Sequence, residues 1–172
     1  MLPWSVNQDL PVSIRYPRGG AHALNGSIHS PIELGKSEIM FKSENTSSYD
    51  VCIFALGTMA WDAYTIAQNL VKENISVAAV NLRFAKPLDE ETVLQFAKVS
   101  KQVVIMEEGC ETGGINSTII QLLVKNLDTL PRIQTFAIPD EFVEHGSVDK
   151  LKSDIDLLPD QMEASIKTKV LA

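Results

Sequence analysis

Two arginines three positions apart, Arg15 and Arg18, have the type and spacing best suited to holding a ligand. They stand in the phrase PVSIRYPRGG, where Pro17 bends the chain between them and Gly19 and Gly20 follow. A guanidinium forks its donors across two oxygens of a phosphate, and paired glycines let a ligand come close to the backbone. The same residues suit an ion pair with an acid of a neighbouring domain. Such pairs are common, and on residue types alone that plainer reading is favoured.

A second candidate is the phrase EEGCETGG, Glu107 to Gly114. It follows an apolar run and opens a helical stretch, the place where open α/β sheets bind ligands. Gly113 and Gly114 with Asn116 and Ser117 could form an anion nest at a helix N-terminus. Against this, Glu107, Glu108 and Glu111 would repel an anion, and the glycines match neither GxGxxG nor a P-loop. A tight turn leading into a capped helix is the favoured reading. Glu107 and Glu108 are adjacent on a strand and so point to opposite faces, which excludes them as a facing acid–base pair. His22, His29 and His145 have no partner at metal-ligand spacing. No GxSxG occurs, which argues against a hydrolase. Cys52 lies in an apolar run and reads as a core residue, whereas Cys110, in the glycine-rich loop, reads as a free thiol. Without a CxxC pair the cysteines fit a reducing, cytoplasmic setting.

The elements that must position these residues alternate. A strand over Val51–Leu56 leads to Thr58, whose hydroxyl is expected to cap a helix running to about Glu73. Ala60, Ala63, Ile66, Ala67 and Leu70 recur at helical spacing and form its buried stripe. A strand over Ser76–Asn81 follows. Asp89 then caps a helix to about Val99, with Glu90 and Glu91 in its first turn. A strand over Gln102–Met106, the EEGCETGG loop, a helix over Ile115–Leu127 and a strand over Arg132–Ile138 complete the repeating units. Strands joined through helices by short links imply a mainly parallel sheet with helices on both faces, a three-layer α/β domain. Ser37–Glu44, polar on one side, is expected at an edge. From Ser147 the chain reads as two short helices broken at Pro159, with Lys167 and Lys169 on a solvated face. PVSIRY is strand-like but stands without a sheet of its own, so the chain reads as a piece of something longer.

Composition narrows the partners. The 172 residues carry 22 acidic against 15 basic side chains, a net charge of −7, and 45% are apolar. No basic stripe suits nucleic acid. No apolar run approaches the ~18 residues needed to span a bilayer. The start, MLPWSVNQDLP, lacks the features of a secretory signal.

In chain order, PVSIRYPRGG, IELGKSEIM, ALGTMAWDA, NLRFAKPLDEET, MEEGCETGGINS and IPDEFVEHGS resemble the C-terminal end of the 1-deoxy-D-xylulose-5-phosphate synthases, transketolase-like enzymes. RYPRG, RFAKPLD and IPDEFVEHG are the specific phrases, and the last argues against the related pyruvate dehydrogenase beta subunit. The resemblance implies a transferase that joins pyruvate to glyceraldehyde 3-phosphate with loss of CO2, feeding isoprenoid, thiamine and pyridoxal synthesis. The complete enzyme is a homodimer that uses thiamine diphosphate and Mg²⁺. In this chain the resemblance assigns Arg18 to the substrate phosphate, with Arg15 and Tyr16 as supports of its turn, and implies no catalytic, cofactor-binding or metal residue. Residues 1–30 become the end of a pyrimidine-binding domain plus a linker, and 31–172 the transketolase C-terminal-like domain. Partners are then the missing N-terminal and pyrimidine-binding domains, in the same chain or a separate subunit, and the chain alone is expected to be inactive. Alternatives are the C-terminal domain of another transketolase-like enzyme, a decayed remnant, or a non-catalytic assembly subunit of a split enzyme whose stretch from Leu2 to Arg15 adds as a strand to a partner.

Overall fold

A computed structural model describes residues 1–17 and 30–170 of the chain. The strands are β1 (Glu38–Lys42), β2 (Tyr49–Ala55), β3 (Val77–Asn81), β4 (Ser100–Cys110) and β5 (Arg132–Ile138). The helices are α1 (Leu2–Ser5), α2 (Met59–Lys72), α3 (Glu90–Lys98), α4 (Ile115–Asn126), α5 (Val148–Asp154) and α6 (Pro159–Val170). The strands form one sheet in the order β1-β3-β2-β4-β5. β2, β3, β4 and β5 are parallel, and β1 closes one edge antiparallel to β3. This is the expected mainly parallel sheet, with the first strand at its edge.

The continuous apolar run of β2 explains its central place. Alternate side chains point to opposite faces, and both faces are covered. Val51, Ile53 and Ala55 join one core with Ile66 and Leu70 of α2 and Met162 and Ile166 of α6. Cys52 and Phe54 join the other with Val93 and Phe96 of α3 and Ile119 and Leu123 of α4. Each large side chain so buried contributes about 1.5–3 kcal/mol. The expected α2 stripe is buried in full.

Several expectations need correction. β4 is longer than Gln102–Met106 and runs through Glu107, Glu108 and Gly109 to Cys110, so half of EEGCETGG is strand. Cys110 still pairs with Ile138 after a shift in register past Met106, and the Glu111 N–H donates to the Ile138 carbonyl at 2.8 Å. Thr58 precedes α2 but makes no side-chain cap bond. Its own φ and ψ of −62° and −31° are helical, whereas a capping hydroxyl needs an extended residue to reach back. Lys167 is half-buried rather than simply solvated: it pairs with Glu73 of α2 and, at 2.7 Å, with Glu163. PVSIRY is not a strand here, for the described residues hold no second sheet for it to join. Nor is the stretch from Leu2 to Arg15 extended throughout, because Leu2–Ser5 is helical. Trp4 packs edge-on against Phe84, ring centroids 5.4 Å apart.

Candidate functional site

The carboxyl ends of the parallel strands lie along one edge of the sheet, where folds of this type bind ligands. Arg15 reaches this edge. Its Nη2 donates to the Glu108 carbonyl at 3.3 Å. β2 ends at Ala55, opposite Met106, and the β4–β5 register shifts beyond Met106, so Glu108 lies past the regular ladder. Tyr16 is 82% exposed. Arg18, Gly19, Gly20, His22 and His29 lie outside the described residues.

Glu108 gathers several elements. Its carboxylate meets Lys152 of α5 at 2.7 Å. Burial pushes its pKa up, but Lys152, the Thr58 hydroxyl and Arg15 outweigh burial and hold it below the usual carboxylate range. Thr58 closes no hydrogen bond of ordinary geometry there; it acts as a nearby dipole. An acid held ionised in this way is an anchor for cations and a poor general acid.

Glu107, on the opposite face, is buried at 4% exposure. Its Oε2 accepts from the Ile115 N–H at 3.0 Å. Its Oε1 accepts from the Asn116 N–H at 2.8 Å and from Asn116 Nδ2 at 2.7 Å. Of the nest drawn from Gly113, Gly114, Asn116 and Ser117, only Asn116 donates to this carboxylate, with Ile115 beside it, while the Ser117 N–H donates to the Gly114 carbonyl; the helix end is filled by the chain's own acid. A Cβ at Gly109 or Gly114 would fall under 3.0 Å from that carboxylate, so both glycines admit Glu107 to the helix end. The capped helix was the favoured reading; its cap comes from the acid that seemed only to repel anions.

A second cluster was not anticipated. Arg83 follows β3, with its Nη2 at 2.6 Å from Glu38 Oε1, and the two side chains are 7% and 5% exposed. Arg83 Nη1 donates to the Pro31 carbonyl at 3.1 Å and Nη2 to the Ser30 carbonyl at 3.0 Å. The Ser30 N–H in turn donates to Glu38 Oε1 at 3.2 Å. One signal was available in the sequence: Glu38 shares the inward face of β1 with Met40, and an acid in that place calls for a buried cation. Beside it, the Asp89 cap is as expected, accepting from the Thr92 N–H at 3.3 Å. Asp89 Oδ2 also accepts from the Ser37 N–H at 2.8 Å. Burial pushes Asp89 up, while Ser37, Thr92 and Lys36 together hold its pKa below the usual range.

The remaining candidates stand apart. His145 is exposed. Cys52 is buried, which raises its thiol pKa well above the usual value. Cys110 is a free, exposed thiol whose Sγ lies 3.7 Å from Asp140 Oδ1. Among the described residues no group of three or more His, Cys, Asp or Glu side chains comes together. No helix there is long and apolar enough to cross a membrane.

The model of the transketolase C-terminal domain family matches residues 43–162. The chain is 39% identical to the 1-deoxy-D-xylulose-5-phosphate synthase of Thermosynechococcus vestitus over 172 residues, 98% of this chain and 26% of that protein. It is 35% identical to the synthase of Alkaliphilus oremlandii over 167 residues, again 26% of that protein. The chain thus spans about a quarter of the length of these relatives. A solved structure described as a split-gene transketolase, an inactive beta4 tetramer, superposes with a TM-score of 0.74 at 25% identity, over 90% of this chain and 48% of that one.

Proposed function

The chain belongs to the transketolase C-terminal domain family, and we propose that it is the C-terminal part of a 1-deoxy-D-xylulose-5-phosphate synthase, a transferase condensing pyruvate with glyceraldehyde 3-phosphate. Its own share of the work is to hold the aldehyde's phosphate through Arg18 and to make assembly contacts. The observation that carries this reading is Arg15 seated on the Glu108 carbonyl at the carboxyl edge, three residues before Arg18. Holding a remote phosphate orients the aldehyde carbon and spends binding energy on alignment.

The described residues do not fit thiamine diphosphate or Mg²⁺. The helix N-terminus at the end of β4 is taken by Glu107, and no acidic metal cluster forms among them. The cofactor is therefore assigned to the remaining parts of a complete enzyme, and no step of its chemistry is derived for this chain. The test mixes the chain with the remaining three quarters of a related synthase, thiamine diphosphate and Mg²⁺, and follows product from pyruvate and glyceraldehyde 3-phosphate. Product is expected from the mixture and not from the chain alone. Arg18→Ala should raise KM for the aldehyde by roughly tenfold or more, as loss of a charge-assisted phosphate contact does, with a smaller change in kcat. Turnover by the chain alone, or an unchanged KM, refutes the reading.

The likeness to the split-gene structure favours one variant, a separate subunit that docks on a chain carrying the catalytic domains. Co-purification of a thiamine diphosphate-binding chain from source cells would support it; a single longer polypeptide bearing both parts would exclude it.

A further inference from the structure

We infer that Phe142 is the anchor by which this chain docks on the catalytic part of a complete synthase, and that its socket there is an apolar pocket rimmed with lysine or arginine. The inference rests on the reading of the chain as the C-terminal part of such an enzyme. Single apolar residues on a surface are ordinary, but three features set Phe142 apart. Its ring is fully exposed, more so than any other large apolar side chain among the described residues. The loop that bears it is tied at both ends and leaves its middle unused. At the start the Ile138 carbonyl accepts from the Glu111 N–H, and Asp140 lies beside Cys110. At the end the Ser147 hydroxyl caps α5, which Lys152 fastens to Glu108. Between these ties Glu141, Phe142, Glu144 and His145 are exposed. Among the described residues they make no hydrogen bond, ion pair or ring contact. A ring held out by a loop with fixed ends has less freedom to lose on binding. Finally, an aromatic centre in a charged surround is how interface hot spots are built, and the surround here has one sign: Asp140, Glu141 and Glu144.

Charge, length and place identify the occupant. A second copy would set these carboxylates against themselves in a chain of net charge −7, and like charges brought face to face oppose association. A basic rim attracts them instead. The chain spans 26% of its Thermosynechococcus relative, so most of a complete synthase is the partner to be met. The loop leaves the carboxyl end of β5, the edge where folds of this type bind ligands, and a partner that shares the ligand meets the ring there.

The test titrates the 172-residue chain, by calorimetry, into the remaining three quarters of a related synthase whose own folding is first established by circular dichroism. Phe142→Ser should keep Tm within about 2 °C of wild type, because the ring is fully exposed. It should raise Kd about thirtyfold, the size of an interface hot spot. Val124→Ser, an exposed position near the far end of α4, should leave Kd within about twofold. Glu141→Lys/Glu144→Lys should slow association at low salt. Wild-type affinity in Phe142→Ser, equal losses in Phe142→Ser and Val124→Ser, or an unchanged on-rate in the lysine variant overturns the proposal and leaves the synthase reading standing. A wild-type chain that does not bind overturns the assembly role itself, and the anchor falls with it. A wild-type dimer in sedimentation that Phe142→Ser dissociates gives the ring to a second copy and overturns the proposal as well.

Discussion

Replacing Glu107 tests whether the chain supplies its own anion to the end of α4. In Glu107→Ala three buried donors, the Ile115 and Asn116 N–H groups and Asn116 Nδ2, lose their acceptor together. Each unsatisfied buried donor costs about 1–3 kcal/mol. Partial relaxation and entering water bring the total to about 4 kcal/mol. In Glu107→Gln the oxygen that takes both Asn116 bonds can remain, and only the Ile115 N–H meets an amide instead of an oxygen. One lost acceptor and the lost charge at the helix N-terminus together cost about 2 kcal/mol. For a chain of this length 1 kcal/mol shifts Tm by about 2–4 °C. The glutamine variant should therefore melt about 4–8 °C below wild type and the alanine variant about twice as far. Thermal and urea unfolding measure both. Sodium formate, small enough to replace the missing carboxylate, should raise Tm of the alanine variant and leave wild type unmoved once ionic strength is matched. Equal costs for the two variants, or equal responses to formate, would refute the reasoning.

Two further outcomes follow from the same edge. Gly114→Ala should destabilise by about 2 kcal/mol or more through overpacking, because its Cβ would meet both the Glu107 carboxylate and the Cys110 carbonyl under 3.0 Å. Gly109→Ala meets only the Glu107 side chain among its nearest atoms and should cost less, a ranking that urea midpoints would check. Asp89→Ala should cost about 1 kcal/mol near neutral pH, the usual worth of a cap. Because the folded pKa of Asp89 is depressed, its contribution is complete above the ordinary carboxylate pKa of about 4. It is lost as pH falls through the folded value, so the gap between variant and wild type should close on acidification; a gap independent of pH down to acid unfolding would contradict this.

The frame was legible because each central strand is a short unbroken apolar run and each covering helix a stripe at helical spacing. Those patterns report burial on two faces and on one, and burial is what the sheet requires. Asp89 was legible as a cap because the bond that defines the cap, from the Thr92 N–H, spans only three residues along the chain. Thr58 was misread because a cap depends on its own backbone conformation, which residue type does not fix. Glu107 and Arg83 were missed for a different reason: each acts at a distance in sequence. Glu107 reaches a helix end that a tight glycine turn brings back over the strand, and Arg83 meets Glu38 only because β1 runs antiparallel beside β3. This bears on the phrases that carry the family resemblance. IELGKSEIM and NLRFAKPLDEET lie far apart in sequence, yet they meet in space through Arg83 with Glu38, the Ser37 N–H with Asp89, and Lys36 with Glu91. MEEGCETGGINS folds onto itself through Glu107. A phrase rich in charged residues in an enzyme family invites a chemical explanation. In this chain the charges of these three phrases chiefly hold the carboxyl edge in shape.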